Sequence, residues 1–218
     1  MKYLDKEDSM VYEQILSQLD TTKLIVVSKY RTLEQLQYYY DKGHRDFAEN
    51  RVQEMLGKYE AMPKDIRWHM IGHLQSNKVK YIVPFITMIH SVDSLSLLDT
   101  IEKEARKINR TIPVCLQFNL AMEDTKCGFM YQQWQEVMEY CNKLSNVQVV
   151  GIMVMGPHVD DEKEIRRVFA LAKQLLEEIQ KVYVNVCELS MGMSDDYPIA
   201  LDCGATMIRV GSILFENV

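Results

Sequence analysis

The sequence predicts an α/β protein folded as a single (β/α)8 TIM barrel. Three observations predict it. Eight short apolar runs alternate with longer segments of helical spacing. Several runs are apolar at consecutive positions, as parallel strands buried on both faces are. The segment after the first run, SKYRTLEQL, holds no glycine, which disfavours the alternative of an open doubly wound sheet with a dinucleotide turn.

Each element has its own justification. Val11, Ile15 and Leu19 share one face of a helix ahead of the first strand, and are expected to cap the barrel floor. The first four strands are expected at 23–29 (KLIVVSK), 46–50 (DFAEN), 68–72 (WHMIG) and 88–93 (MIHSVD), with Pro84 stopping the helix before the fourth. The last four are expected at 113–120 (PVCLQFNL), 149–155 (VVGIMVM), 184–192 (VNVCELSMG) and 206–211 (TMIRVG). Leu95, Leu98, Ile101, Ala105 and Ile108 mark one helical stripe, and Trp134, Val137, Met138, Cys141 and Leu144 another. Ile165, Val168, Phe169, Ala172, Leu175, Leu176 and Ile179 mark a third, with charged runs such as KEARK and DDEKEIRR filling the opposite faces. Gly204 stands where a helix C-terminus needs positive φ. No repeat, linker or low-complexity tract divides the chain, so 1–218 is expected to be one domain.

Composition narrows the function. Lys and Arg number 25 against 31 Asp and Glu, a formal net charge of −6. That argues against a grip on nucleic acid or on anionic membrane. No apolar run reaches the length of a membrane span, and the acidic, amphipathic start is unlike a signal peptide. Five cysteines include no C-x-x-C pair, which disfavours a disulfide framework or a zinc knuckle. A cytoplasmic protein is expected.

A barrel carries its chemistry at the C-terminal ends of its strands. That places Lys29, Glu49, Asn50, His69, His73, Asp93, Asn119, Met153, Ser190, Ser194, Arg209, Gly211 and Ser212 at or near one face. Lys29 follows the apolar run LIVVS. An amine there is expected to be partly desolvated, which favours the neutral form that attacks a carbonyl. The plain alternative is a surface lysine paired with a carboxylate. Two further loops bear on it. Ser190-Met191-Gly192-Met193-Ser194 and Arg209-Val210-Gly211-Ser212 combine glycine with hydroxyls where barrels commonly hold phosphate. Ser194 is expected to cap a helix carrying Asp195 and Asp196 in its first turn. Ordinary βα turns are the bland reading of either loop. Together, opposite Lys29, they point to a phosphorylated carbonyl compound. His69 and His73 have a metal-like spacing, but Gly72 breaks any helix between them and no neighbouring carboxylate completes a ligand set, so no metal is expected. Trp68 and the methionines read as core, and Arg45, Lys58, Lys64 and Lys80 as solvated charges.

Several stretches match a known family in order: VVSKY around Lys29, FAENRVQE from Phe47, WHMIGHLQSNK from Trp68, HSVDS from His90, and LSMGMSDDYPIALDCGATMIRVG from Leu189 with the ILF after it. The chain resembles the pyridoxal 5′-phosphate (PLP) homeostasis family, the YggS/PROSC-like proteins. The resemblance implies a barrel similar to the N-terminal domain of alanine racemase (PLP fold type III), with PLP held as a Schiff base on Lys29. It places Asn50 near the cofactor, Ser190 and Ser194 in the loop approaching the phosphate, Gly211 and Ser212 as a phosphate pair, and Arg209 at the pyridine nitrogen; Met153, at the end of the sixth strand, is also expected to contact the cofactor. It also implies PLP-requiring apo-enzymes as partners. The sequence shows no evident exposed apolar stripe, which leaves monomer and weak dimer both open. Ala48 departs from the family's usual glycine, the 158–160 loop is short, and the sequence stops at Val218 without the family's usual tail.

An arginine can donate to the ring nitrogen but cannot take its proton. The ring is then a weak electron sink, and a racemase-like second base is not supplied by this chain. Little or no amino-acid turnover is expected. The alternatives are a PLP-dependent amino-acid racemase and a PLP-free Schiff-base aldolase acting on a phosphosugar.

Overall fold

In the computed structural model, residues 6–121 and 127–215 are described. The elements run α1 Lys6–Gln18, β1 Lys23–Val27, α2 Leu33–Asp41, β2 Asp46–Glu49, α3 Val52–Ala61, β3 Arg67–Met70, α4 Val79–Ile82, β4 Met88–Val92, α5 Leu95–Arg106 and β5 Ile112–Phe118. They continue with α6 Trp134–Cys141, β6 Val147–Val154, α7 Glu162–Gln180, β7 Glu188–Ser190, α8 Tyr197–Asp202, β8 Met207–Val210 and a 3-10 turn over Ser212–Leu214. The eight strands close in chain order, and β8 returns to pair in parallel with β1, Ile25 beside Arg209 and Val26 beside Val210.

Local sequence sets the element ends. Thr32 opens α2 with a reciprocal capping box to Gln35. Ser94 accepts from the Leu97 N–H to start α5, and Asp161 accepts from the Lys163 N–H to start α7. Gly204 takes the expected positive φ, at +85°. The seven-residue stripe of α7 from Ile165 to Ile179 is buried along its whole length, and each of its Ile, Val, Leu and Phe side chains stabilises the fold by about 1.5–3 kcal/mol.

Three expectations about the frame are corrected. The seventh strand is only Glu188–Ser190, because Val182 and Val184 are 65% and 74% exposed in the turn after α7. Apolar residue type alone does not separate a surface turn from a strand. The first helix does not cap the floor. It packs against the 3-10 turn beyond β8, and Tyr12 meets Tyr39 of α2 edge-on at 5.1 Å. α1 therefore fills the helix ring at the β8–β1 seam. Ser194 does not cap α8. That helix starts after Asp196, whose Oδ1 accepts from the Met193 N–H at 2.5 Å. Expectations that fall on residues 1–5 and 216–218 lie outside the described residues.

Alternation along the strands divides the core in two. Trp68, Met70, Ile89, Leu189, Met191, Ile208 and Val210 pack outward against the helices. Ile25, Val27, Ala48, Met88, Cys115, Met153 and Met207 form a separate apolar cluster inside the barrel. His69, His90, Ser190 and Arg209 sit between outward-packing neighbours, so they too point inward, and all four are buried. Among the described residues no helix is long and apolar enough to cross a membrane.

Candidate functional site

A cavity of about 250 Å³ opens at the C-terminal ends of the strands. Lys29, Ser194, Arg209, Gly211 and Ser212 line it above Val27 and Ile71. The expected amine and the two glycine–hydroxyl loops are thus brought to one place. A wider hollow along α5, lined by Asp99, Glu102 and Arg106, lies away from the strand ends among solvated helix charges.

Lys29 sits in a turn rather than at the end of a strand. β1 stops at Val27, and the Arg31 N–H donates to the Ser28 carbonyl at 3.0 Å. Tyr30 holds φ at +62°, the left-handed region that a bulky residue adopts only where its surroundings impose it. Those surroundings come from α3. Lys58 Nζ donates to the Ser28 carbonyl and to Glu49 Oε1, both at 2.6 Å, and Ser28 Oγ donates to the same carboxylate at 2.6 Å. The Tyr30 N–H donates to Glu54 at 3.2 Å. Two sequence expectations change here. Lys58 is not a solvated charge but a buried one, paired with a fully buried Glu49. Lys29 is not desolvated: standing in the turn above the strand, it is exposed at the cavity rim. Burial pushes the Glu49 carboxyl upward, against the pull of Lys58 and Ser28. The signal for Lys58 was its place on α3, nine residues after Glu49, but sequence does not show which face of α3 turns inward.

The two glycine–hydroxyl loops meet at the other side of the seam. Pairing of Val26 with Val210 carries the β8 turn against β1. A Cβ on Gly211 would lie 3.0 Å from Val27 Cβ and from the Val27 carbonyl oxygen, so glycine lets the backbone close on the cavity. Ser194 Oγ accepts from the Gly211 N–H at 3.3 Å and ties the two loops together. Ser212 then leads the 3-10 turn, whose first N–H groups have no partner within the turn itself.

Arg209 is buried yet reaches the cavity. Nη1 donates to Ser190 Oγ at 2.7 Å and Nη2 to the Val154 carbonyl at 3.1 Å. Burial pulls its pKa down to about 10, with Asp196 opposing, so the group remains a cation at neutral pH. Ser190 itself is not on the cavity wall. It is fully buried, its hydroxyl held between Arg209 and His90. Met153 lies in the interior apolar cluster beneath. Asn50 stands just beyond β2 and off the cavity wall, with its Oδ1 buried and unpartnered. The sequence places Ser190 and Met153 at the strand ends, but inward-facing positions one layer down carry them below the opening. The histidine reading also needs correction. A carboxylate does stand beside His73: its Nδ1 lies 3.0 Å from Asp93 Oδ2, and Cys127 completes a rim trio whose polar atoms lie within 4.8 Å of one another. His69 points away from that trio, into the barrel.

A closed parallel barrel with an amine and a two-loop cradle at its mouth defines an alanine racemase N-terminal-type domain, and the model of that family, alanine racemase, N-terminal domain, matches residues 12–217. More narrowly, the chain belongs to the pyridoxal phosphate homeostasis protein family. It is 40% identical to the protein of that name from Aquifex aeolicus over 88% of this chain and 86% of the relative. Its fold matches PipY of Synechococcus elongatus at 35% identity. The TM-score is 0.91 without PLP, over 96% of this chain and 100% of PipY. It is 0.87 for PipY with PLP bound, over 95% and 99%. An alanine racemase from Clostridium difficile shares the fold at a TM-score of 0.81 and 17% identity, over 95% of this chain and 56% of the racemase.

Proposed function

We propose that this chain binds PLP in the cavity at the barrel mouth, holds it covalently through Lys29, and serves vitamin B6 homeostasis with little or no turnover of amino acids. One observation carries the reading: a single cavity unites the Lys29 amine from the β1 turn with the Ser194–Gly211–Ser212 cradle and the Arg209 guanidinium. The PipY relative, 35% identical, is known with PLP bound. When bound, the cofactor supplies an aldehyde open to an amine, a phosphate dianion and a pyridine nitrogen.

The residues divide that task. The α3 clamp fixes the backbone on which Lys29 stands and leaves its long side chain free to reach into the cavity. Ser194, Gly211 and Ser212 offer hydroxyls and backbone N–H groups to the phosphate. Arg209 gives a donor and a positive charge to the ring nitrogen and takes no proton from it. The unpartnered Asn50 Oδ1 is a further acceptor at the top of β2. A ring nitrogen facing a permanent cation is a poor electron sink, which supports storage over transamination or decarboxylation. The rest of the reading is a single domain over 1–218, cytoplasmic, monomeric or weakly dimeric, that hands PLP to PLP-requiring apo-enzymes.

The test is borohydride reduction of the PLP-loaded protein followed by peptide mass spectrometry. The expected result is a pyridoxyl adduct on the Lys29 peptide. An adduct confined to other lysines, or none, overturns the assignment.

A further inference from the structure

A chain of hydrogen bonds crosses the barrel interior from mouth to floor. Arg209 Nη1 lies 2.7 Å from Ser190 Oγ, and that hydroxyl lies 2.8 Å from His90 Nδ1. His90 Nε2 lies 2.9 Å from His69 Nδ1, and His69 Nε2 lies 3.1 Å from Asp46 Oδ1. Asp46 is gripped in turn by Arg67, Nε at 2.7 Å and Nη2 at 2.5 Å. The five linked residues come from β8, β7, β4, β3 and β2.

The two ends fix the direction of the chain. A guanidinium only donates, so Ser190 Oγ accepts from Arg209. Burial works against the Asp46 carboxylate, but bonds from Arg67 and His69 outweigh it and hold the group well below the usual carboxylate range. Asp46 therefore only accepts, and His69 Nε2 carries a hydrogen. If His69 is neutral, its Nδ1 is bare and His90 Nε2 must donate to it. His90 Nδ1 is then bare and accepts from the Ser190 hydroxyl. Every hydrogen finds an acceptor. The reverse arrangement needs an imidazolium at His69 and leaves the buried Ser190 hydrogen with no acceptor in the chain. Full burial drives His90 strongly towards its neutral form, and the Arg209 and Lys23 cations push the same way.

We propose that Ser190, His90, His69 and Asp46 are positioning residues for Arg209: a one-way relay of neutral donors, anchored at the barrel floor, that presents a fixed lone pair to the guanidinium and turns its remaining N–H groups to the cavity. The relay adds no positive charge beside Arg209, whose cation stays available to an anionic or electron-rich ligand. Aligned hydrogen bonds of this kind polarise one another, so the first link is strengthened by the last. That the ligand is PLP rests on the function proposed above; the relay itself does not.

The deciding measurement is proton–nitrogen NMR of the whole protein carrying isotope-labelled histidine, with no PLP added. The His69 and His90 rings are assigned by single substitution to Gln. Both rings are expected to be neutral at neutral pH with the proton on Nε2. A proton on Nδ1 of His90, or an imidazolium in either ring, overturns the relay. In a second arm, His90→Leu is expected to weaken PLP affinity about tenfold and to shift the bound absorption band. His90→Gln, which keeps one donor and one acceptor, is expected to restore most of both. A folded His90→Leu protein with wild-type affinity and band overturns the positioning role. A wild-type chain that takes up no PLP overturns the functional reading above, while the tautomer measurement still decides the relay.

Discussion

Lys58→Met tests the clamp behind Lys29. The ammonium it removes has its side chain 10% exposed and lies 2.6 Å from a Glu49 side chain that is 0% exposed. Breaking a buried pair from one side strands the other charge and costs about 3–5 kcal/mol. In a chain of this size that lowers the melting temperature by roughly 6–20 °C. The loss depends on pH with a definite sign. Burial already raises the Glu49 carboxyl above its ordinary value, and loss of Lys58 raises it further. A carboxyl raised in the folded state binds its proton more tightly there than in the unfolded chain. The deficit of the variant therefore shrinks as pH falls through the folded-state value and Glu49 becomes neutral. The double variant Glu49→Gln with Lys58→Met removes both charges, and is expected to lie within about 1.5 kcal/mol of wild type. Urea denaturation of the three proteins near neutral pH and again in mild acid measures all of this. A single variant that loses less than about 1 kcal/mol, or a double variant no better than the single, would falsify the clamp.

Other substitutions probe separate parts. Lys29→Ala is expected to abolish the borohydride-fixed adduct while leaving the melting temperature within a degree or two, because Lys29 is exposed; an adduct of unchanged yield refutes its role. Gly211→Ala places a methyl 3.0 Å from Val27 and is expected to cost about 1–3 kcal/mol and weaken phosphate binding, measured by calorimetry with PLP and with inorganic phosphate. Ser194→Ala removes the acceptor of the Gly211 N–H and is expected to weaken PLP binding about tenfold with little change in stability. Burial holds His44 down at about 4 from its ordinary 6.5, and holds His90 well below the same value. Both rings bind protons less readily folded than unfolded, so stability is expected to be full above pH 6.5 and to fall as pH drops towards 4. Thermal melts across that range check it, and His44→Phe is expected to flatten the slope.

The barrel was legible because its signals are local. Apolar runs such as KLIVV and helical stripes such as that of α7 declare themselves within a dozen residues. The rim residues were legible for the same reason: strand ends can be found, and Lys29, Ser194, Arg209, Gly211 and Ser212 all stand at or just beyond one. What stayed hidden depends on the third dimension. Lys58 reads like any surface lysine until α3 is rotated against β1 and β2. Ser190 and Met153 are correctly placed along their strands, but the depth of a layer inside a barrel is not written in residue type. Asp93 and Cys127 reach His73 across loops 20 and more residues away, a distance that spacing rules do not span. The interior relay had a faint signal, since positions 46, 69, 90, 190 and 209 all share inward parity once the strands are in register.

The cavity straddles the joint between the first strand and the last. Its amine stands beside the first strand, its cradle beside the eighth, and the two meet only where Val26 comes to lie against Val210. A polypeptide emerging from the ribosome carries Lys29 for most of its synthesis with nothing opposite it, on an open sheet edge. On the function proposed above, capture of a reactive aldehyde requires a closed ring, and colour acquired by the protein would report that its own folding had finished.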